Sequence, residues 1–207
     1  MKQEALDDEY FDKDFFWSHK SIPPKGATRG IESPHDRYWV NAVLEVFGGK
    51  NYSFLDVGCG LGWVIKILRE RNETAFGVDI SSYAIENSCM PDYVRLGNVV
   101  TLKSHEIYDV VLCNRVLCYL DNEADAVTAL KNLKNLADKY LIVAVSASDH
   151  KGPGNAERAM KSRKKLFPKS KWMEWFEKAG LAIDTNLTDR IVKQRLHWDC
   201  IWVFDNK

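Results

Sequence analysis

Short apolar runs alternate with amphipathic segments along most of this chain. Tyr38, Trp39, Val40, Ala42, Val43, Val46 and Phe47 recur at helical spacing over 35–47, and Gly48-Gly49 supplies a stop. The pattern then predicts a strand over 53–57, a helix over 62–71, a strand over 74–80, a helix from about Tyr83, and strands over 93–96 and 108–113. A helix over 124–137 and a strand over 140–146 follow. Asp109-Val110-Val111-Leu112-Cys113 and Leu141-Ile142-Val143-Ala144-Val145 are nearly continuous apolar runs, as expected of strands buried on both faces. The fold class is therefore α/β: a doubly wound, mostly parallel sheet with helices on each side. The link between the third and fourth strands is too short for a long helix. Further on, a helix over 170–179 ends at Gly180, and strand-like stretches at 181–187 and 196–204 are expected to pair antiparallel at one sheet edge.

The 207 residues suit one domain. We divide it into an arm or lid at 1–34, a cofactor-binding core at 35–150, and an acceptor-side segment with C-terminal strands at 151–207. The arm is acidic, then aromatic, then a Pro/Gly stretch, with no sustained periodicity. Lys+Arg and Asp+Glu are both 29, so no global attraction to nucleic acid or to an anionic membrane is implied. The five cysteines form no CxxC pair, and the N-terminus lacks the apolar core of a signal peptide. No membrane span is expected. A reducing, cytoplasmic location is the simplest reading.

Charge and composition leave the chemistry open; one segment narrows it. In Phe54-Leu55-Asp56-Val57-Gly58-Cys59-Gly60-Leu61-Gly62 a strand runs into a glycine-rich turn and then a helix. Such a turn lets the backbone approach a ligand closely, and the helix N-terminus carries N–H groups with no partner in the helix. In Gly77-Val78-Asp79-Ile80-Ser81 a carboxylate stands at the end of the next strand, 21 positions beyond Gly58, where it can accept hydrogen bonds from ribose hydroxyls. A dinucleotide fingerprint needs a third glycine, but Trp63 or Ile65 occupies that place. The two elements describe a pocket for a nucleoside.

These segments resemble motifs I and II of the class I S-adenosylmethionine-dependent methyltransferases, and the similarity extends from about Tyr38 to Val145. The resemblance implies S-adenosylmethionine as cofactor. It implies that Gly58, Cys59 and Gly60 give backbone contacts to its methionine part, that Asp79 holds the ribose, and that Ile80 packs on the adenine. Asn98 stands where many members have an acid that meets the adenine amino group. Asp56 and Asn114, at the ends of the first and fourth strands, complete the cofactor-binding set. The stretch 114–120 is similar to the E-V-L-E-H-L segment of many small-molecule members, with Tyr119 where those often show histidine. Asn114 is followed by Arg115 and Val116, not by Pro-Pro-aromatic, which argues against a base amino-methylase.

Methyl transfer needs an aligned acceptor, and a hydroxyl acceptor also needs a base. In such sheets ligands bind at the carboxyl ends of the strands. His150, just after the fifth strand, is the best-placed base, with Asp149 beside it as base or orienting partner; its bland alternative is an exposed loop histidine. Should both fail, His35 or Asp36 comes next. Trp17, His35, Arg115 and Tyr119 are the candidate acceptor contacts. His19 too comes from the arm and could reach in, whereas His105 and His197 read as structural or exposed. Residues 151–171 hold eight basic side chains against Glu157 alone, read as a solvated face or as a rim for an anionic acceptor. Trp172, Trp175 and Phe176 share one helix face and are assigned to the core. A looser resemblance, to sugar-modifying methyltransferase domains, points to a sugar hydroxyl in a glycan or glycoconjugate. Another small molecule, an RNA, or a non-catalytic cofactor-binding scaffold are the alternatives. No compact His/Asp/Glu cluster has metal-ligand spacing, so no metal is expected.

Overall fold

The computed structural model describes residues 8, 10–17, 31–103, 106–149, 166–193 and 200–206. Its six strands are β1 (Ser53–Val57), β2 (Thr74–Asp79), β3 (Val94–Leu96), β4 (Tyr108–Asn114), β5 (Ala137–Val145) and β6 (Cys200–Asp205). They form one sheet in the order β3-β2-β1-β4-β5-β6, parallel except for β6, which pairs antiparallel with β5. The order reverses between β1 and β4, so the loops after these two strands open a crevice at the carboxyl edge of the sheet.

Helices cover both faces. α1 (Lys13–Trp17) belongs to the arm; then follow α2 (Pro34–Phe47), α3 (Trp63–Glu70), α4 (Ser82–Glu86), α5 (Glu123–Leu136), α6 (Lys169–Lys178) and α7 (Thr185–Val192). α2 starts where the chain predicts: the Ser33 side chain accepts the Asp36 N–H while the Asp36 carboxylate accepts the Ser33 N–H, a reciprocal cap, with Pro34 in the first turn. The α2 and α3 side of the sheet buries Trp39, Val43, Phe47, Ile65 and Leu68. The opposite side buries α5 and α6, with Trp172, Trp175 and Phe176 essentially free of solvent, as their spacing indicated. Among the described residues no helix is long and apolar enough to cross a membrane.

Residues 181–187 do not form the expected strand. Ile183 makes an isolated antiparallel bridge with Phe204, then Asp184 caps α7 by accepting the Leu187 N–H at 2.8 Å. Leu187 and Ile191, one helical turn apart, join the α2 side of the core. The apolar alternation at 181 and 183 ends where this helical spacing begins, and burial against α2 and β6 decides in favour of the helix. β6 is confirmed from Cys200; residues 194–199 lie outside the described part.

Candidate functional site

β1 delivers its last residues to the crevice and the chain then turns through Gly58, Gly60 and Gly62, all at positive φ. Gly58 is the most constrained: at φ 84° a Cβ would fall 2.0 Å from Val116 Cγ2, so the loop after β4 closes on the turn through this point. The N–H groups of Gly58 and Cys59 both donate to the Val78 carbonyl, at 2.7 and 3.1 Å, and that of Gly60 donates to Asp79 Oδ2 at 2.7 Å. These three donors are spent inside the fold, so here the turn is not a phosphate cradle, whose working parts are free N–H groups.

Asp79 closes β2 on the same sheet face as Asp56 on β1, because side chains alternate along each strand and Asp56 is paired with Gly77. Oδ1 of Asp79 accepts the Ser81 N–H at 2.9 Å, and together with the N–H groups of Gly60 and Ile80 this fixes the carboxylate. Asp56 and Asp79 are both buried. Burial, then the charge of Asp79 and that of Asp36 at the start of α2, push the Asp56 carboxyl up to about 7. Burial also raises Asp79, against the pull of its N–H bonds. Asp36 is raised by burial too, while its bonds to Ser33 and the charges of Arg115 and His35 act the other way. Gathering acids out of water is costly unless a cation meets them. Among the described residues no side chain or backbone group bonds the Asp56 carboxylate. A cationic ligand suits this edge of the sheet and a phosphate does not.

The arm lies over the same turn. Phe11, Phe15 and Phe16 are buried with Leu61 and Ala84, and Ile80, Tyr83, Trp63 and Tyr119 pack around them. The Phe16 ring is 3.4 Å from where a Gly60 Cβ would stand, and Tyr119 meets Phe11 edge-on, ring centres 5.2 Å apart. Polar bonds fasten the arm: the Ser81 hydroxyl donates to the Phe11 carbonyl at 2.5 Å, and Asp8 accepts both the N–H and the hydroxyl of Ser82, at 2.6 and 2.8 Å.

The structure thus brings Asp56, Gly58, Cys59, Gly60, Asp79 and Ile80 together. Asn114 ends β4 beside Ala144, on the sheet face that Asp56 shares. Asn98 sits in the loop after β3, where its side-chain oxygen accepts the Val100 N–H at 2.9 Å. That loop is held to β2 by the Gly97 N–H, which donates to the Asp79 carbonyl at 2.8 Å. Arg115 takes φ 62°, a costly conformation for a side-chain-bearing residue, and its N–H donates to the Ala144 carbonyl. His35, beside Asp36, stands at the start of α2. Exposed Asp149 accepts the Lys169 N–H at 3.0 Å and so ties the loop after β5 to the start of α6. His150, His19, His105, His197, residues 151–165 and the Trp17 side chain lie outside the described part. Sequence reasoning missed Asp8 and Ser81. Ser81, one residue before α4, carries the signature of a helix cap, which was a usable signal; nothing local marks Asp8.

A doubly wound sheet with a glycine turn at its switch point, internally spent turn donors and buried carboxylates at adjacent strand ends defines a nucleoside-cofactor domain distinct from the dinucleotide type. The chain belongs to the family described as methyltransferase domain, whose model matches residues 32–186. Among curated proteins there is no sequence match. Solved structures share the fold. Magnesium protoporphyrin IX methyltransferase (ChlM) from Synechocystis PCC 6803, with bound SAH, is 17% identical with a TM-score of 0.69 over 97% of this chain and 98% of that one. A TehB-like SAM-dependent methyltransferase from Corynebacterium glutamicum ATCC 13032 Kitasato is 16% identical, TM-score 0.62, over 82% and 88%. The mitomycin 7-O-methyltransferase MmcR is 14% identical, TM-score 0.60, over 81% of this chain and 52% of that one.

Proposed function

We propose that this protein transfers a methyl group from S-adenosylmethionine to a hydroxyl of a small-molecule acceptor, and more specifically to a sugar in a glycan or glycoconjugate. The carrying observation is the unpartnered, buried Asp56 carboxylate beside the fixed Asp79 at the carboxyl ends of adjacent strands. It fits a ligand with a ribose at one end and positive charge at the other. When bound, that donor supplies a methyl group on a positively charged sulfur, ready for in-line displacement.

The roles of the chain's own residues follow from this reading. Asp79 accepts the ribose hydroxyls, Ile80 supports the adenine, and Asn98 meets its edge through the side-chain amide. Asp56, with Gly58, Cys59, Gly60 and Asn114, lines the methionine end. The arm closes over donor and acceptor and excludes water. His150, oriented by Asp149, takes the acceptor's hydroxyl proton on its imidazole nitrogen. The partly buried Tyr10 and Tyr119, packed on the buried Phe11 and Phe15, form an aromatic wall that suits the apolar face of a sugar ring. With Trp17, His35 and Arg115 it makes the acceptor side. A flat ring system is the second reading, favoured by the same wall and by neighbours named for porphyrin and mitomycin.

The test is transfer from methyl-labelled S-adenosylmethionine to fractionated glycans, flat aromatic hydroxyl compounds and RNA, with calorimetry of the donor alone. Label on a sugar supports the specific reading; label on an aromatic hydroxyl moves the acceptor to the second. Donor binding unchanged in Asp79→Ala, where a loss of roughly 1.5–3 kcal/mol per charge-assisted bond is expected, overturns the donor assignment. Binding without transfer to any acceptor leaves a scaffold domain.

A further inference from the structure

Asn98 sits in a turn whose position is set from outside. The loop after β3 leaves the sheet at Gly97, where a Cβ would fall 2.9 Å from Val78 Cγ1 and 3.1 Å from Leu102 Cδ1, and Val99 is buried in the core. The Thr101 N–H closes the turn by donating to the Asn98 carbonyl at 3.0 Å. From α5, Asn132 reaches across to it: Nδ2 donates to the Val99 carbonyl at 3.0 Å and to the Val100 carbonyl at 2.8 Å. The amide nitrogen has two hydrogens, one for each carbonyl. On the other side of the turn the Val100 N–H donates to Asn98 Oδ1 at 2.9 Å. The Val99 carbonyl and the Val100 N–H belong to one planar peptide group and point opposite ways. Asn132 therefore holds one end of that plane, and the Asn98 side chain hangs on the other. With its oxygen so engaged, Asn98 keeps amide hydrogens that no group takes up among the described residues. From that nitrogen it offers a ligand a hydrogen-bond donor.

We propose that Asn132 is a positioning residue for recognition of the nucleobase: through the Val99–Val100 peptide it aims the Asn98 amide, whose N–H then donates to a ring nitrogen of the adenine. The proposal rests on S-adenosylmethionine being the methyl donor and on Asn98 meeting its base. Adenine has a bare ring nitrogen beside its amino group, an acceptor that matches the amide. Hypoxanthine, the deaminated base, carries a hydrogen on that nitrogen and an oxygen in place of the amino group, so the same edge has donor and acceptor exchanged. An amide held in one direction meets that hydrogen with its own and rejects the base. An amide released from Asn132 can turn or shift to the oxygen, and the distinction is lost. Asn132 touches no part of the ligand in this scheme; it acts only through Val99, Val100 and Asn98.

The experiment is calorimetry of the whole chain with S-adenosylhomocysteine and, separately, with S-inosylhomocysteine, which differs from it only at that edge of the base. The wild type should bind the adenosyl compound about tenfold more tightly, the factor for one neutral hydrogen bond. In Asn132→Ala, checked for folding by its thermal transition, adenosyl affinity should fall and the ratio of the two affinities should shrink toward one. Asn98→Ala should do the same, and the double variant should lose no more than either single one, because the two asparagines act in series. Asn132→Ser, which keeps one donor, should give an intermediate ratio and carries the comparison if the alanine variant does not fold. Equal binding of the two compounds by the wild type overturns the proposal without any variant. So does a wild-type ratio kept in Asn132→Ala or in Asn98→Ala, or a double variant whose loss is the sum of the two; a purely structural role for Asn132 gives that additive result. Binding of neither compound by the wild type overturns the donor reading instead, so the two failures are distinguishable.

Discussion

The Ser81 side chain and the Phe11 main chain are joined by a 2.5 Å hydrogen bond across 70 residues of sequence, while the Ser81 N–H holds Asp79 at 2.9 Å. One residue therefore contacts both the arm and the carboxylate at the end of β2. Ser81 also accepts the Ala84 N–H and begins α4. Any movement of the arm acts on the end of β2 through this serine.

Removing the arm is expected to spare folding and abolish turnover. The two core clusters on the sheet faces do not include Phe11, Phe15 or Phe16, which form a separate cluster with Leu61 and Ala84. A fragment beginning at Ser33 should unfold cooperatively, and Asp8→Ala, which loses both bonds to Ser82, should speed donor dissociation in stopped-flow measurements. Full activity in the fragment rules the lid out.

Gly58→Ala is expected to destabilise the protein by roughly 1–3 kcal/mol, through the strain of a side chain at positive φ and through overlap with Val116. Val116→Ala in the same chain should recover the overlap and leave the strain. Denaturant unfolding of the two single variants and the double variant separates these contributions; additive losses mean that the loop after β4 does not close on the turn as described.

His150→Ala is expected to lower turnover by about a hundredfold while leaving donor affinity intact, and the wild-type pH profile should rise below neutrality. Asp149→Ala should in addition cost roughly 1 kcal/mol of stability, because its carboxylate accepts the N–H of Lys169 at the start of α6. Wild-type turnover in His150→Ala moves the base to His35 or Asp36, or dispenses with one.

The ligand-free protein should be penalised by Asp56 at high pH. Its folded value is about 7 against an ordinary 3.8, so the stability it gives as the protonated acid is fully present below about pH 3.8 and is lost as pH rises through 7. Asp56→Asn should then melt several degrees above the wild type at pH 8, at roughly 2–4 °C per kcal/mol for this chain length, and the gap should close toward pH 5. A gap independent of pH contradicts the ionisation of Asp56.

Much of this protein is legible along the chain because the deciding physics is local. The alternation of apolar runs and helical spacings marks the order of the strands and most helices. The glycines after Asp56 mark a turn that side chains cannot make, and the one-face spacing of Trp172, Trp175 and Phe176 marks a core helix. The tertiary structure decided what depends on residues far apart in sequence. Burial of Leu187 and Ile191 against α2 turned an apparent strand at 181–187 into a helix. The Val78 carbonyl and the Asp79 carboxylate consumed the turn's N–H groups, which sequence reading had left open to a ligand. Packing set Asp79 on the sheet face of Asp56, Val116 against Gly58 and Phe16 over Gly60, and it drew Asp149 onto α6. Each of these joins groups whose encounter costs chain entropy and is repaid only by the assembled core, so no short window of sequence carries its signal.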